Sequence, residues 1–80
     1  GRMLNLFALA CEVKRKLANM GYLLQQEIIC EAHPRLLELI ANDEKNLAYI
    51  QKRTGKKIKL LANPDLPPIE YRIYSEESLP

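Results

Sequence analysis

A chain of 80 residues has room for one domain and one modest core. Its 48% hydrophobic and 28% charged residues exclude a disordered or fibrous chain, and a net charge of +2 is too small to imply a nucleic-acid partner by itself. Cys11 and Cys30 have no second Cys or His at ligand spacing, so they read as two reduced thiols of a cytoplasmic protein, and no apolar run reaches the ~20 residues of a membrane span.

The first predicted element is a helix over 4–20. Leu6, Leu9, Ala10, Val13, Leu17 and Met20 recur at the i, i+3, i+4, i+7 spacing of one face. Phe7, Cys11 and Ala18 form a second apolar strip beside it, leaving a narrow polar arc of Glu12, Arg15, Lys16 and Asn19. One sheet covers only one such strip. Either the helix is sunk in its own domain, or the strip with Leu4, Phe7, Cys11 and Ala18 meets another chain or domain. No signal peptide is visible, because "LNLFALAC" runs into "EVKRKL". The chain is expected to begin inside this helix, as an excised fragment would. Gly21 is expected to end it.

"QEIICEA" (26–32) reads as a strand, with Ile28, Cys30 and Ala32 on one face and Ile29 and Glu31 on the other. "HPRLLELI" follows. Pro34 suits the first helical position, where its missing N–H costs nothing. His33 is a loose cap ahead of it, since no nucleophile stands nearby for it to activate. Leu36, Leu37 and Ile40 make the inward edge. "ANDEKN" then breaks the apolar spacing, and Asn42 or Asp43 can cap a restarted helix that turns Leu47 and Ile50 inward and ends at Gly55. The alternative is one bent helix.

"KKIKLLA" (56–62) is the second predicted strand, "NPDLPP" a loop in which Asp65 forms a turn, and "IEYRIYS" (69–75) the third strand. Residues 75–80 read as a flexible polar tail. "TGKKIKL" invites a phosphate-loop reading, but the order is wrong. Such a loop has a strand before its glycines and a helix after them, whereas here a helix ends at Gly55 and a strand begins. The last turn of a helix presents carbonyls and the negative end of its dipole. Lys57 and Lys59 share a strand face and are expected near Arg72. With Tyr74 on the same face as a stacking ring, they are the candidate RNA contacts. The competing reading is a solvated face with edge lysines that discourage aggregation. The pattern gives no catalytic set and no metal site.

The order α-β-α-β-β predicts a two-layer α/β sandwich: a small mixed three-stranded sheet, a parallel pair plus an antiparallel third strand, with helices on one face.

"AHPRLLELIANDEKNLAYIQKRTGKKIKLLANPDLPPIEYRIY" resembles the C-terminal small domain of the ribonuclease E/G family. Pro34, Leu37, Asp43, Glu44, Leu47, Ile50, Arg53, Gly55, Lys56, Ile58, Pro64, Tyr71 and Ile73 carry the likeness, which spans 4–74. Gln51 departs from it, standing where many members have an acidic residue, and "LPPIEY" falls in a variable loop. The resemblance implies an 80-residue domain excised from a bacterial, cytoplasmic endoribonuclease of RNA processing and decay. The parent would use magnesium, with zinc at a subunit link, and its catalytic residues would lie earlier in the parent chain. None carries over to this sequence. The small domain would pack against the rest of the enzyme and join subunits into a homo-oligomer, with a weak RNA contact. Two alternatives stand beside it. One is a separate RNA-binding α/β module, since the element order is similar to the C-terminal domain of a bacterial translation initiation factor. The other is a structural interaction domain without an RNA role.

Overall fold

The computed structural model describes residues 5–20 and 27–75. Six elements follow in order: α1 (Leu6–Met20), β1 (Ile28–Ala32), α2 (Pro34–Ala41), α3 (Glu44–Thr54), β2 (Ile58–Ala62) and β3 (Tyr71–Ser75). The sheet order is β2-β1-β3. β1 pairs parallel with β2, Ile28 opposite Ile58 and Ala32 opposite Ala62. It pairs antiparallel with β3, Ile28 opposite Ser75 and Ala32 opposite Tyr71. The expected two-layer α/β sandwich with a mixed three-stranded sheet is therefore what the chain forms.

Local chemistry sets each boundary. The first helix does not run from Leu4 as expected but starts at Leu6, because Asn5 caps α1: its Oδ1 accepts from the N–H groups of Phe7 and Ala8 at 3.0 and 3.2 Å. His33 caps α2 by accepting the Arg35 N–H on Nδ1 at 3.1 Å, and Pro34 takes the first helical position. The break between α2 and α3 is real. Asp43 leaves the helical region at φ −100° and ψ 67°, and its Oδ1 accepts the Asn46 N–H at 3.3 Å. α3 stops at Gly55, whose φ of 73° is left-handed and whose N–H donates to the Gln51 carbonyl at 2.9 Å. A strand follows, so Gly55 is a helix terminator.

Two strands are shorter than their apolar alternation suggests. β2 begins at Ile58, because Gly55 has turned the chain and the Lys56 N–H is held by Thr54 Oγ1 at 3.3 Å. β3 begins at Tyr71, because the Glu70 N–H donates to the Pro67 carbonyl and closes a turn across Pro67–Glu70. Ile69 therefore sits in that turn, 52% exposed, instead of in the sheet. Ser75 closes β3 and is buried; residues 76–80 of the expected tail lie outside the described residues. The expected helix end at Gly21 and strand start at Gln26 also lie outside them.

The core sits between one face of β1 and the helices. Ile28, Cys30 and Ala32 are fully buried, and α1 gives Ala10, Val13 and Leu17. Leu36, Leu37, Ile40 and Ile50 complete the cluster. Burying one such Leu or Ile contributes about 1.5–3 kcal/mol. Lys14 shares the buried side of α1 with them, at the i, i+3, i+4, i+7 spacing of Ala10, Val13, Lys14 and Leu17. Its Nζ donates to Asp43 Oδ2 at 2.9 Å, so the residue that caps α3 also anchors α1.

Candidate functional site

Alternation along the strands puts Ile29 and Glu31 of β1 on the face opposite the core. Register then fixes their neighbours. Lys59, Ile29 and Tyr74 form one row across the sheet, and Leu61, Glu31 and Arg72 form the next. Lys57 precedes β2 on the same side. Lys57, Lys59 and Arg72 are exposed, and Tyr74 is half-buried.

This arrangement changes the expected basic stripe. Lys59 and Arg72 are not neighbours: β1 lies between their strands, so their backbones stand two strand spacings apart, about 9–10 Å. The separating strand brings a carboxylate. Glu31 Oε2 accepts from Asn63 Nδ2 at 2.6 Å, and Glu31 Oε1 accepts from the Tyr74 hydroxyl at 3.2 Å. Asn63 is held at both ends of its amide, since its Oδ1 also accepts the Asp65 N–H at 3.0 Å. Asp65 lies in the expected turn, which the Leu66 N–H closes onto the Asn63 carbonyl at 3.1 Å, and the Asn63 side chain reinforces it. The face is thus two cationic margins around a fixed anion, and the Tyr74 ring is tethered through its hydroxyl.

The β2–β3 connection produces this geometry. It leaves Ala62, crosses the end of β1 with the Asn63 N–H donating to the Ala32 carbonyl at 2.9 Å, and reaches β3 on the far side. The crossing carries Asn63 to Glu31. Leu66 is buried within the same connection.

The second candidate surface is on α1. Phe7 is 67% exposed, while Cys11 and Ala18 are half-buried. Ala18 packs against the chain's own core. Leu4, the other residue of this strip, lies outside the described residues. The outward part of the strip is therefore concentrated on Phe7.

Further along α1, the Lys16 ammonium lies 5.4 Å from the Tyr71 ring centroid. The neighbouring phenol, through a hydrogen bond and its charge, holds the Lys16 pKa above the ordinary lysine value. Lys16 and Tyr71 line a shallow groove of ≈ 410 Å³ with Ile69, Glu70 and Arg72. A cation placed over an aromatic face is an attractive contact, and it occupies the ring that would otherwise be open to a base.

Sequence reading missed two residues of these surfaces, Asn63 and the central Glu31, and the buried Lys14 behind them. Lys14 carried a signal, its place on the buried helical spacing. Asn63 and Glu31 carried none, because their meeting depends on which strand β3 joins.

Among the described residues no group of three or more His, Cys, Asp or Glu is placed to hold a metal ion. Cys30 is buried, and burial pushes its thiol up to about 11, while Cys11 stands half-buried on α1. No described helix is long and apolar enough to cross a membrane. Set against known proteins, the chain matches no family model and no curated protein.

Proposed function

We propose that this chain is the non-catalytic C-terminal small domain of a ribonuclease E/G-like endoribonuclease, and that its task is subunit association. The observation that carries the association reading is Phe7, a large apolar side chain 67% exposed on a helix whose opposite face is already buried. The identity reading is supported by what the resembling residues do: Pro34 opens α2, Asp43 caps α3, Gly55 terminates it, and Ile58 and Tyr71 open β2 and β3. Magnesium and the zinc link belong, on this reading, to the rest of the parent enzyme.

Sedimentation equilibrium tests association. The chain self-associates with rising concentration, and Phe7→Ser returns it to monomer without lowering its melting temperature. A wild-type chain that stays monomeric into the high-micromolar range, or a Phe7→Ser chain that still associates, removes the reading.

A second reading is a weak RNA contact through Lys57, Lys59, Arg72 and Tyr74, favoured by the exposure of the three cations. Glu31 at the centre of the face opposes a phosphate track. Titrating labelled single-stranded RNA at two salt concentrations measures it, since each phosphate contact adds salt dependence. Strong binding with a steep salt slope would favour a separate RNA-binding module over an association domain.

A further inference from the structure

The outer edge of β2 combines outward backbone groups, apolar side chains and lysines. Two hydrogen bonds fix its polarity. The Ile28 N–H donates to the Lys57 carbonyl at 2.8 Å, and the Asn63 N–H donates to the Ala32 carbonyl at 2.9 Å. Backbone groups alternate sides along a parallel ladder. Lys57, Lys59, Leu61 and Asn63 therefore turn theirs toward β1, and Ile58, Leu60 and Ala62 turn theirs outward. The first outward donor is occupied: the Ile58 N–H donates to Gln51 Oε1 at 2.9 Å. Beyond it, the backbone groups of Leu60 and Ala62 face away from β1, the one strand that β2 pairs with among the described residues.

The side chains bordering this edge differ on its two sides. Ile58 and Leu60 lie half-buried against the core. Lys57 and Lys59 are exposed on the other side, with Leu61 41% exposed after them. Among the described residues, neither Lys57 nor Lys59 has a carboxylate within ion-pair distance. Lysines on an edge oppose pairing with another copy of the same strand, because like charges would meet across the ladder. They do not oppose a strand of the opposite charge.

We propose that the Leu60–Ala62 edge of β2 is a docking site for an extended acidic–apolar peptide segment, which adds to the sheet as a fourth strand. Its backbone takes the outward groups of Leu60 and Ala62. Its apolar side chains lie beside Ile58 and Leu60, and its carboxylates lie beside Lys57 and Lys59, the usual division of labour in strand addition. Gln51 sets one limit of the site by occupying the Ile58 donor. Pro64 follows the other end and adds no backbone donor. The site requires neither Phe7 nor a second copy of this chain, so it stands apart from the association reading.

The test uses the full chain and a fluorescein-labelled, capped octapeptide of alternating glutamate and valine, with an alternating lysine–valine peptide as its control. Anisotropy is read at about 10 mM and about 300 mM salt, across which surface charge is progressively screened. The glutamate peptide binds, and the higher salt weakens it about tenfold. Lys57→Glu/Lys59→Glu reverses the preference toward the lysine peptide. Ala62→Pro removes one outward donor without touching the bonds to β1, and binding falls about tenfold while the thermal melt is unchanged. Amide shifts on binding centre on Leu60 and Ala62. If Ala62→Pro unfolds the chain, the charge-reversed pair decides alone. The proposal is overturned if the glutamate peptide does not bind, if a folded Ala62→Pro chain binds it as well as wild type, or if charge reversal leaves the preference unchanged. Shifts centred on Arg72 and Tyr74 overturn it too. So does an oligouridylate that moves the Leu60 and Ala62 amides where the peptide does not, which would make the edge an RNA track.

Discussion

The two faces of the sheet are built from alternate residues of the same strand, yet they obey different rules. On the helix side of β1, Ile28, Cys30 and Ala32 are fully buried against apolar neighbours. On the other side, Glu31 is held by Asn63 and Tyr74, with Lys59 and Arg72 at the margins. The first face is made by volume and exclusion of water. The second is made by hydrogen bonds that depend on where the β2–β3 connection runs. Substitutions on the first should therefore change stability, and substitutions of the polar and charged residues around the buried Ile29 on the second should change recognition.

The largest effects belong to the packed face. Leu36→Ala or Ile28→Ala should cost about 2–5 kcal/mol in urea unfolding, a large share of the roughly 5–10 kcal/mol that holds such a domain. Leu61→Ala, on the other face and 41% exposed, should cost less than about 0.5 kcal/mol. Equal costs would dissolve the distinction between the faces. Thiol chemistry sharpens it. With its pKa pushed up to about 11 by burial, Cys30 holds only about a thousandth of its population as thiolate at pH 8. Iodoacetamide at that pH should label Cys11 and spare Cys30, as peptide mapping will read. Rapid labelling of both in the folded chain would mean the packed face opens readily.

A smaller effect is expected at the end of α3. Gly55 has φ 73°, and nothing lies within 4 Å of where a Cβ would stand, so Gly55→Ala is strained by backbone conformation alone. The cost should be about 1–2 kcal/mol, and Gly55→Asn should recover part of it. No loss on Gly55→Ala would mean the turn can relax into another geometry.

The smallest effect concerns charge. The hydrogen bond from Lys14, followed by that from the Asn46 N–H, holds the Asp43 carboxyl below its ordinary value of 3.8, against an opposing effect of burial. A carboxyl depressed by folding adds stability above its unfolded pKa and loses it as pH falls through the folded one. The contribution should be complete near neutrality and fade below about pH 4. Asp43→Asn keeps a capping oxygen but removes the charge, so it should flatten the acid limb of a stability–pH curve. An unchanged acid limb would assign that sensitivity to other carboxylates.

Much of the fold was readable from the chain. Period-2 and period-3.6 patterns, together with Asp43, Gly55 and Pro34, give the order of elements, the break between α2 and α3, and which strand residues share a face. The neighbour of β3 was not readable. Alternation in "IEYRIYS" says that Arg72 and Tyr74 point together, but it is the same whether β3 pairs with β2 or β1. Only the eight-residue connection crossing the end of β1 separates those arrangements, and that crossing decides whether Arg72 stands beside Lys59 or beside Glu31. The start of β3 was obscured for a related reason: Ile69 continues the apolar alternation, although the Pro67–Glu70 turn holds it out of the sheet.

The position of β1 has a consequence for how the chain acquires its shape. The strand at the middle of the sheet comes first in sequence, and its partners arrive late: Ile28 meets Ile58 and then Ser75. Such distant pairings require closing long loops before any reward, which slows nucleation. During synthesis, the apolar centre of the sheet must wait, unsheltered on one flank, until Tyr71–Ser75 has left the ribosome. A chain cut before Tyr71 would leave one flank of β1 an adhesive edge in place of a finished sheet.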